Sequence, residues 1–402
     1  MTIKDKYLNA TQSIMYGLLI LSCVSIWLPI AFMSVFMSLF MIVWLISGNY
    51  SNKFALIKQN PAAISAIALL TLYVVGISYS STTGHAAFAF GAKYHKLLFI
   101  PMIASVLQSE KIRSLAIKIF LAASIIILAL SYLKWLGVHI HDFHGADQGN
   151  VIFKGRIAHN IFMSFAMYLM LNLSIKSKGY TKYIWAVLSI FTALNILILV
   201  NGRTGQITMF ALIVWFTWET WGVKSFKYWA AIILFGLGVF LSRPDLLHSR
   251  LADTNQEMTK GTASSAGQRM EMYKNTLILI QNHPIFGGGT GSLESEYKPL
   301  AENQHSAMAK VTNPHNQYLL TTQELGVVGL ICLLWMWLTH WRASYRFGSD
   351  EYAYALHGLI ITVTVGSLFN SLILDAAEGQ FYCVLAGILL SAFRPTQTNV
   401  ST

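Results

Sequence analysis

Ile184-Trp185-Ala186-Val187-Leu188-Ser189-Ile190-Phe191-Thr192-Ala193-Leu194-Asn195-Ile196-Leu197-Ile198-Leu199-Val200 runs into Asn201-Gly202-Arg203-Thr204-Gly205, and a second apolar run then continues to Trp221. A membrane span needs about 20 apolar residues, because a helix rises about 1.5 Å per residue across about 30 Å of hydrocarbon. The segments 182–200 and 205–221 meet that need, and so short a turn between them reads as a pair of neighbouring spans. The same test finds ten further candidates, at 11–29, 31–47, 62–80, 87–107, 114–136, 157–175, 226–242, 319–340, 352–374 and 379–394. The run 87–107 is the weakest of them, since Lys93, His95 and Lys96 interrupt it. The expected fold is an all-α polytopic membrane protein with about twelve transmembrane helices.

Composition agrees. Of 402 residues, 55% are hydrophobic and only 11% charged, against roughly 25% charged in ordinary soluble domains. Mean hydropathy is +0.53. So few charges argue against a disordered chain and cannot cover a soluble globule of this size. The three cysteines, Cys23, Cys332 and Cys383, sit in apolar runs without metal spacing and read as small buried hydrophobes. The polar start, Met1 to Asn9, lacks a small-residue cleavage site and reads as the lead-in to an uncleaved first span.

The formal charge of +11 reports topology once it is sorted by side. With both termini cytoplasmic, one set of loops holds fifteen of the 28 Lys and Arg against five acids. The opposite side is close to neutral, and its short loops at 80–85 and 375–378 hold no Lys or Arg. That is the positive-inside pattern, and it removes nucleic acid as the explanation of the charge.

The domain plan is nine spans over 1–242, a large polar periplasmic loop over 243–318, and three spans with a short cytoplasmic tail over 319–402. Long ordered loops are usually functional. Within this one, Gly267–Asn282 reads as an amphipathic helix, with Met270, Tyr273, Leu277 and Ile280 at three- and four-residue spacing. The cluster Gly287-Gly288-Gly289-Thr290-Gly291 lacks the Lys-Ser/Thr of a phosphate-binding loop and reads as a turn whose backbone approaches something closely. A second outer loop, about 137–156, carries His139, His141 and His144 in a spacing that matches no metal motif with a known mechanism.

Three residues stand out chemically. Arg203, in an outer turn, either snorkels to the interface or aims its fork at a phosphate. Arg269, at the start of the loop helix, is either a solvated charge or half of a diphosphate site beside a helix N-terminus. His315, where the loop re-enters the membrane, is either a hydrogen-bonded structural residue or a base near neutral pH. Glu324 either orients a site or caps backbone groups. Lys93, Lys96, Lys154 and Arg156 lie near the outer interface, where lipid headgroups and a lipid-linked substrate are equally apt partners. His159-Asn160 opens a span without an assignable role.

These motifs, in this order, resemble the O-antigen ligase family of envelope glycosyltransferases, which is related to O-antigen polymerases and O-oligosaccharyltransferases. The resemblance rests on four features. They are the topology with one large loop before the tenth span; Gly202-Arg203-Thr204-Gly205; the Arg269 helix followed by Asn282-His283-Pro284-Ile285-Phe286-Gly287-Gly288-Gly289; and His315-Asn316 with Gly326-Val327-Val328-Gly329 after nine residues. It covers the second half of the chain by motif and the first half by topology.

The resemblance implies a glycan donor on undecaprenyl diphosphate and a sugar hydroxyl of lipid A–core as acceptor. Arg203 and Arg269 would hold the diphosphate, His315 would assist transfer, and His315-Asn316 forms the signature pair. No cofactor or metal is expected. The site would face the periplasm across the bacterial inner membrane. A polymerase would share the donor. A protein O-oligosaccharyltransferase tends to be longer after the last span. A lipid-linked glycan transporter would place charges near the membrane midplane, whereas here they gather at one interface.

Overall fold

The structure, a computed structural model, describes residues 3–141, 149–200, 202–227, 229, 265–304 and 311–393. Apart from one isolated bridge between Phe347 and Phe393, the described residues are all-helical or connecting. The first half contains α1 (Ile3–Ser25), α2 (Ile30–Ile46), α3 (Tyr50–Gln59), α4 (Pro61–Ile77), α5 (Gly84–Gly91), α6 (Phe99–Val106) and α7 (Glu110–Trp135). It continues with α8 (Arg156–Lys176), α9 (Tyr180–Leu194) and α10 (Arg203–Trp221). The second half contains α11 (Ser265–Asn282), α12 (Leu293–Asn303), α13 (Gln317–Ser344), α14 (Asp350–Gly366) and α15 (Ala376–Leu390).

Five helices among the described residues are long and apolar enough to cross a membrane: Lys6–Ser25 of α1, then α7, α8, the α9 stretch to Leu199, and α13. A sixth is reached if α2 and α3, bent by 115° at their junction, form one span. Several other expected spans form shorter or broken helices. The run 87–107 becomes α5, a tighter 3₁₀ segment Ala92–Leu98, and α6. The break falls where Lys93, His95 and Lys96 interrupt the apolar run. The run 352–374 is helical only to Gly366, and the remainder turns back across the end of the bundle. The expected span 226–242 lies almost wholly outside the described residues.

Helix ends follow local chemistry. Asn60 accepts from the Ala62 amide at 3.1 Å with Pro61 in the first turn of α4, and Ser109 accepts from Ile112 at the start of α7; both occupy N-cap positions that such side chains favour. The centre is aromatic. Trp27, Phe120, Phe162, Phe165 and Phe381 join the chain after α1 to α7, α8 and α15, with Phe162 and Phe381 stacked at 4.4 Å. Trp27 donates its indole N–H to Ser124 at 3.0 Å, so its polar edge is satisfied inside an apolar core. All three cysteines are free and buried, as their apolar surroundings imply.

One end of the bundle is closed by a buried polar cluster. Tyr168 donates to Glu219 at 2.6 Å, Glu219 lies 2.8 Å from His357 Nδ1, and His357 Nε2 lies 2.7 Å from Ser344 Oγ. Trp341 stacks on the His357 ring. Four helices, α8, α10, α13 and α14, meet there.

The loop helix forms where expected, as α11, but it buries a different face. Met272, Asn275, Thr276 and Leu279 are buried, whereas Met270 and Leu277 are exposed. In a membrane protein an outward face can be as apolar as an inward one, so periodicity does not say which side meets protein. Asn275 and Thr276 tolerate burial through hydrogen bonds, Asn275 donating to Tyr297 and Thr276 to the Met272 carbonyl. The short helix α12 follows within the same loop.

Candidate functional site

The arginine turn is seated on α8 by close packing. The last turn before it, Asn195–Leu199, widens into a π-helix, and Arg203 is then the first residue of α10. A Cβ on Gly205 would stand 2.2 Å from the Asn160 Cβ, and one on Gly202 would stand 2.7 Å from Asn160 Nδ2. Only glycine lets α10 approach α8 this closely. Asn160 also donates to the Val200 carbonyl at 2.8 Å, and Ser164 to the Gly205 carbonyl at 3.1 Å. His159, unassigned from sequence, pairs with Asn195 of the π-helix at 2.9 Å. Asn160 therefore sets where the Arg203 turn sits. Arg203 itself is exposed; Asn201 lies outside the described residues.

His315 occupies a left-handed backbone conformation, φ 54°, uncommon for a residue with a side chain. The turn is held from both sides. The His315 amide donates to Asn313 Oδ1 at 2.8 Å. Its carbonyl accepts from the Tyr273 hydroxyl at 3.2 Å, which also lies 3.1 Å from the Leu368 carbonyl. The Asn370 side chain lies beside the ring. Burial chiefly, and then the positive charge of Arg269, push the His315 pKa below its usual value, with the nearby Asn370 amide opposing. An imidazole so placed favours the neutral form.

Arg269 lies one turn before Tyr273 on α11. Four residues apart, the two share a face, so the hydroxyl that ties α11 to the His315 carbonyl also sets the guanidinium near the ring. Asn370 closes the arrangement from the other direction, donating to Thr204 Oγ1 at 3.1 Å. Through Asn370, the His315 ring is joined to the residue next to Arg203. The three residues singled out from sequence thus gather at one end of the bundle.

Asn316 has a structural task. Its Oδ1 accepts from the Tyr318 and Leu319 amides at 2.9 and 3.1 Å, capping α13, and its Nδ2 donates to the Leu368 carbonyl. Glu324 likewise accepts from the Gly291 amide at 2.8 Å and from the Tyr94 hydroxyl at 3.3 Å. Of its two readings from sequence, backbone capping is the one these contacts match. Around it, the two glycine motifs interlock. Gly326 breaks α13 with φ 63°, and a Cβ there would stand 2.1 Å from the Ile285 carbonyl oxygen. The Val327 amide donates to the Pro284 carbonyl at 2.9 Å, and Gly288 and Gly289 donate to the carbonyls of Gln323 and Glu324. The close approach expected of Gly287–Gly291 is an approach to this break.

The second-tier cations separate into two kinds. Lys93 and Arg156 are exposed, with the Lys93 ammonium 4.6 Å from the Phe90 ring centre. Lys96 and Lys154 are buried and thus withdrawn from bulk headgroups. Lys96 donates to the Leu374 and Asp375 carbonyls at 2.8 and 2.7 Å. Burial lowers the Lys154 pKa to about 8, opposed by Glu378. Asp375 is raised to about 7 by burial and by Glu378. It connects to His315 through Asn313, whose Nδ2 reaches Asp375 at 3.5 Å while its Oδ1 accepts from Ser371 at 2.7 Å.

Sequence reasoning did not find Asn160's task, Asn313, Asn370 or Asp375. Asn370-Ser371 was counted inside an apolar run, although two adjacent polar residues there were a signal that the helix had already ended. Among the described residues, no group of three or more His, Cys, Asp or Glu is placed to hold a metal ion; His144 lies outside them.

Residues 188–334 match a family model described as O-antigen ligase. That span includes Arg203, Arg269, His315 and both glycine motifs, and leaves out Asn370, Lys96, Lys154 and Asp375. A Haemophilus influenzae protein described as uncharacterized is 30% identical over 199 residues, 46% of this chain and 49% of the relative. The match thus spans about half the length of that relative. Over residues 188–334, with the arginine turn, the loop helix and the His315 turn all included, this chain is similar to the O-antigen ligase family.

Proposed function

We propose that this protein is a glycosyltransferase that moves O-antigen glycan from undecaprenyl diphosphate to a sugar hydroxyl of lipid A–core. The observation that carries the reading is the convergence of the Arg203 turn, the Arg269 helix and the His315 turn through Asn370. The proposed setting is the bacterial inner membrane, crossed about twelve times, with both termini cytoplasmic and the site periplasmic. The distribution of Lys and Arg supports that orientation.

In this reading Arg203 and Arg269 bind the diphosphate of the donor. Negative charge grows on the departing diphosphate, so fixed guanidiniums stabilise the transition state more than the ground state. His315, held toward its neutral form, accepts the proton of the acceptor hydroxyl as the new C–O bond forms. The diphosphate leaves with the electron pair of the broken glycosidic bond. Direct attack from the opposite face inverts the anomeric centre. No metal takes part in the proposed step, and activity lost to a chelator and restored by one divalent ion would overturn that.

The test is a lipopolysaccharide gel of a deletion strain. Core alone, with polymer stranded on its lipid carrier, is the expected outcome. Core capped by a single repeat unit would identify a polymerase instead, and an unchanged ladder would reject both.

A further inference from the structure

At the end of the bundle away from His315, the helices α7, α8, α9 and α14 leave a crevice of about 280 Å³ between them. Its walls are apolar, with Leu121, Ile125, Leu169 and Leu173 prominent. Its rim is polar and carries Lys118, Lys176 and Glu351. The gap has a packing cause: α8 lies along α9 and α10 and touches α7 much less. An apolar cavity of roughly 150 Å³ already stays dry and takes up apolar ligands, so this larger one is suited to hydrocarbon.

The rim decides the occupant. Lys176 is exposed and its ammonium stands 4.2 Å from the Tyr354 ring centre, which holds it at the mouth. Lys118 is exposed on α7. Facing them are Asp350 and Glu351 at the start of α14. Glu219, also nearby, already binds Tyr168 and His357. Of the charged residues that line the crevice, two are ammonium groups, Lys118 and Lys176, and one is a carboxylate, Glu351, which leaves the mouth cationic above an apolar slot.

We infer that this crevice is a binding site for an anionic glycerophospholipid, with one acyl chain between α7 and α8 and the headgroup phosphate at Lys118 and Lys176. The site needs the chain to be membrane-embedded but does not depend on the glycosyltransferase reading. It would use the leaflet on the basic side, opposite the proposed active site. A cationic surface residue contributes about a fivefold preference for anionic lipid, so two lysines together set an expected effect of about 25-fold.

The experiment is native mass spectrometry of the full chain from detergent, titrated with phosphatidylglycerol, phosphatidylethanolamine or undecaprenyl phosphate. Wild type should retain phosphatidylglycerol in preference to phosphatidylethanolamine, and Lys118→Gln with Lys176→Gln should lower that retention about 25-fold. Ala122→Trp, which extends a ring into the crevice from an exposed position, should lower retention with the lysines intact. Circular dichroism and gel filtration establish that each variant is folded. Equal retention of the two phospholipids, retention unchanged in both variants, or undecaprenyl phosphate retention that falls in both variants while phosphatidylglycerol retention does not would each overturn the inference. Transfer activity is not a readout, so loss of the functional proposal would leave this one standing.

Discussion

Asn370 Nδ2 donates to Thr204 Oγ1 across 3.1 Å, and the same side chain lies beside the His315 ring. One amide therefore joins the turn after α14 to the first turn of α10 and to the imidazole. Its role is positioning: it fixes where the ring stands relative to the arginine turn.

Asn370→Ala should lower transfer about tenfold, the scale set by the lost buried hydrogen bond to Thr204, without loss of membrane-inserted protein. The pH profile separates positioning from mere packing. His315 titrates below its usual value, so the base stays neutral, and transfer stays flat, as pH falls from 7 past 6.5. Asn370 favours the protonated ring. Removing it should move the acidic limb to still lower pH. A limb that stays in place in reconstituted transfer assays would limit Asn370 to a structural task.

Arg203→Lys keeps the charge and loses the fork. If the diphosphate is held bidentately, transfer should fall by roughly a hundred- to a thousandfold despite the conserved charge. Arg269→Ala and His315→Ala should each abolish polymer transfer in vivo with normal protein levels. Full activity in Arg269→Ala would remove that residue from the site.

Gly326→Ala should destabilise the fold. The position has φ 63° and ψ −165°, a region restricted to glycine that costs on the order of 1–3 kcal/mol for other residues. The added Cβ also meets the Ile285 carbonyl. A lower thermal midpoint in detergent is expected, with early protease cleavage between α11 and α12. Gly205→Ala should act differently, displacing the Arg203 turn from Asn160 and costing transfer more than stability. An unchanged midpoint for Gly326→Ala would show that the interlock adjusts freely.

At the opposite end, His357→Ala would leave the Glu219 carboxylate, 10% exposed, without its imidazole. Leaving one buried hydrogen-bonding partner unpaired costs about 1–3 kcal/mol, whereas replacing both partners by apolar groups is often nearly neutral. His357→Ala should therefore melt earlier than Glu219→Leu combined with His357→Leu. The reverse order in thermal scans would contradict this reading of the cluster.

The helical class, the turn that carries Arg203 and the loop helix were legible because each is written in contiguous residues. Backbone groups in hydrocarbon must bond within their own segment, so an apolar run of sufficient length already implies a helix. The cysteines were legible for the same reason, each surrounded by its own apolar neighbours. The glycine cluster announced a close approach without naming the partner, because Gly326 lies 35 residues beyond Gly291.

Sequence by itself determined that this is an apolar, helical chain with Arg203, Arg269 and His315 as its unusual polar residues. Only the tertiary structure decided which side of α11 is buried, that α14 ends at Gly366, and that Asn370 turns back to His315 and Thr204. The physical reason is range. Helix formation depends on hydrogen bonds four residues apart, whereas the site depends on hydrogen bonds between residues 42 and 166 positions apart, whose pairing exists only once the helices have packed.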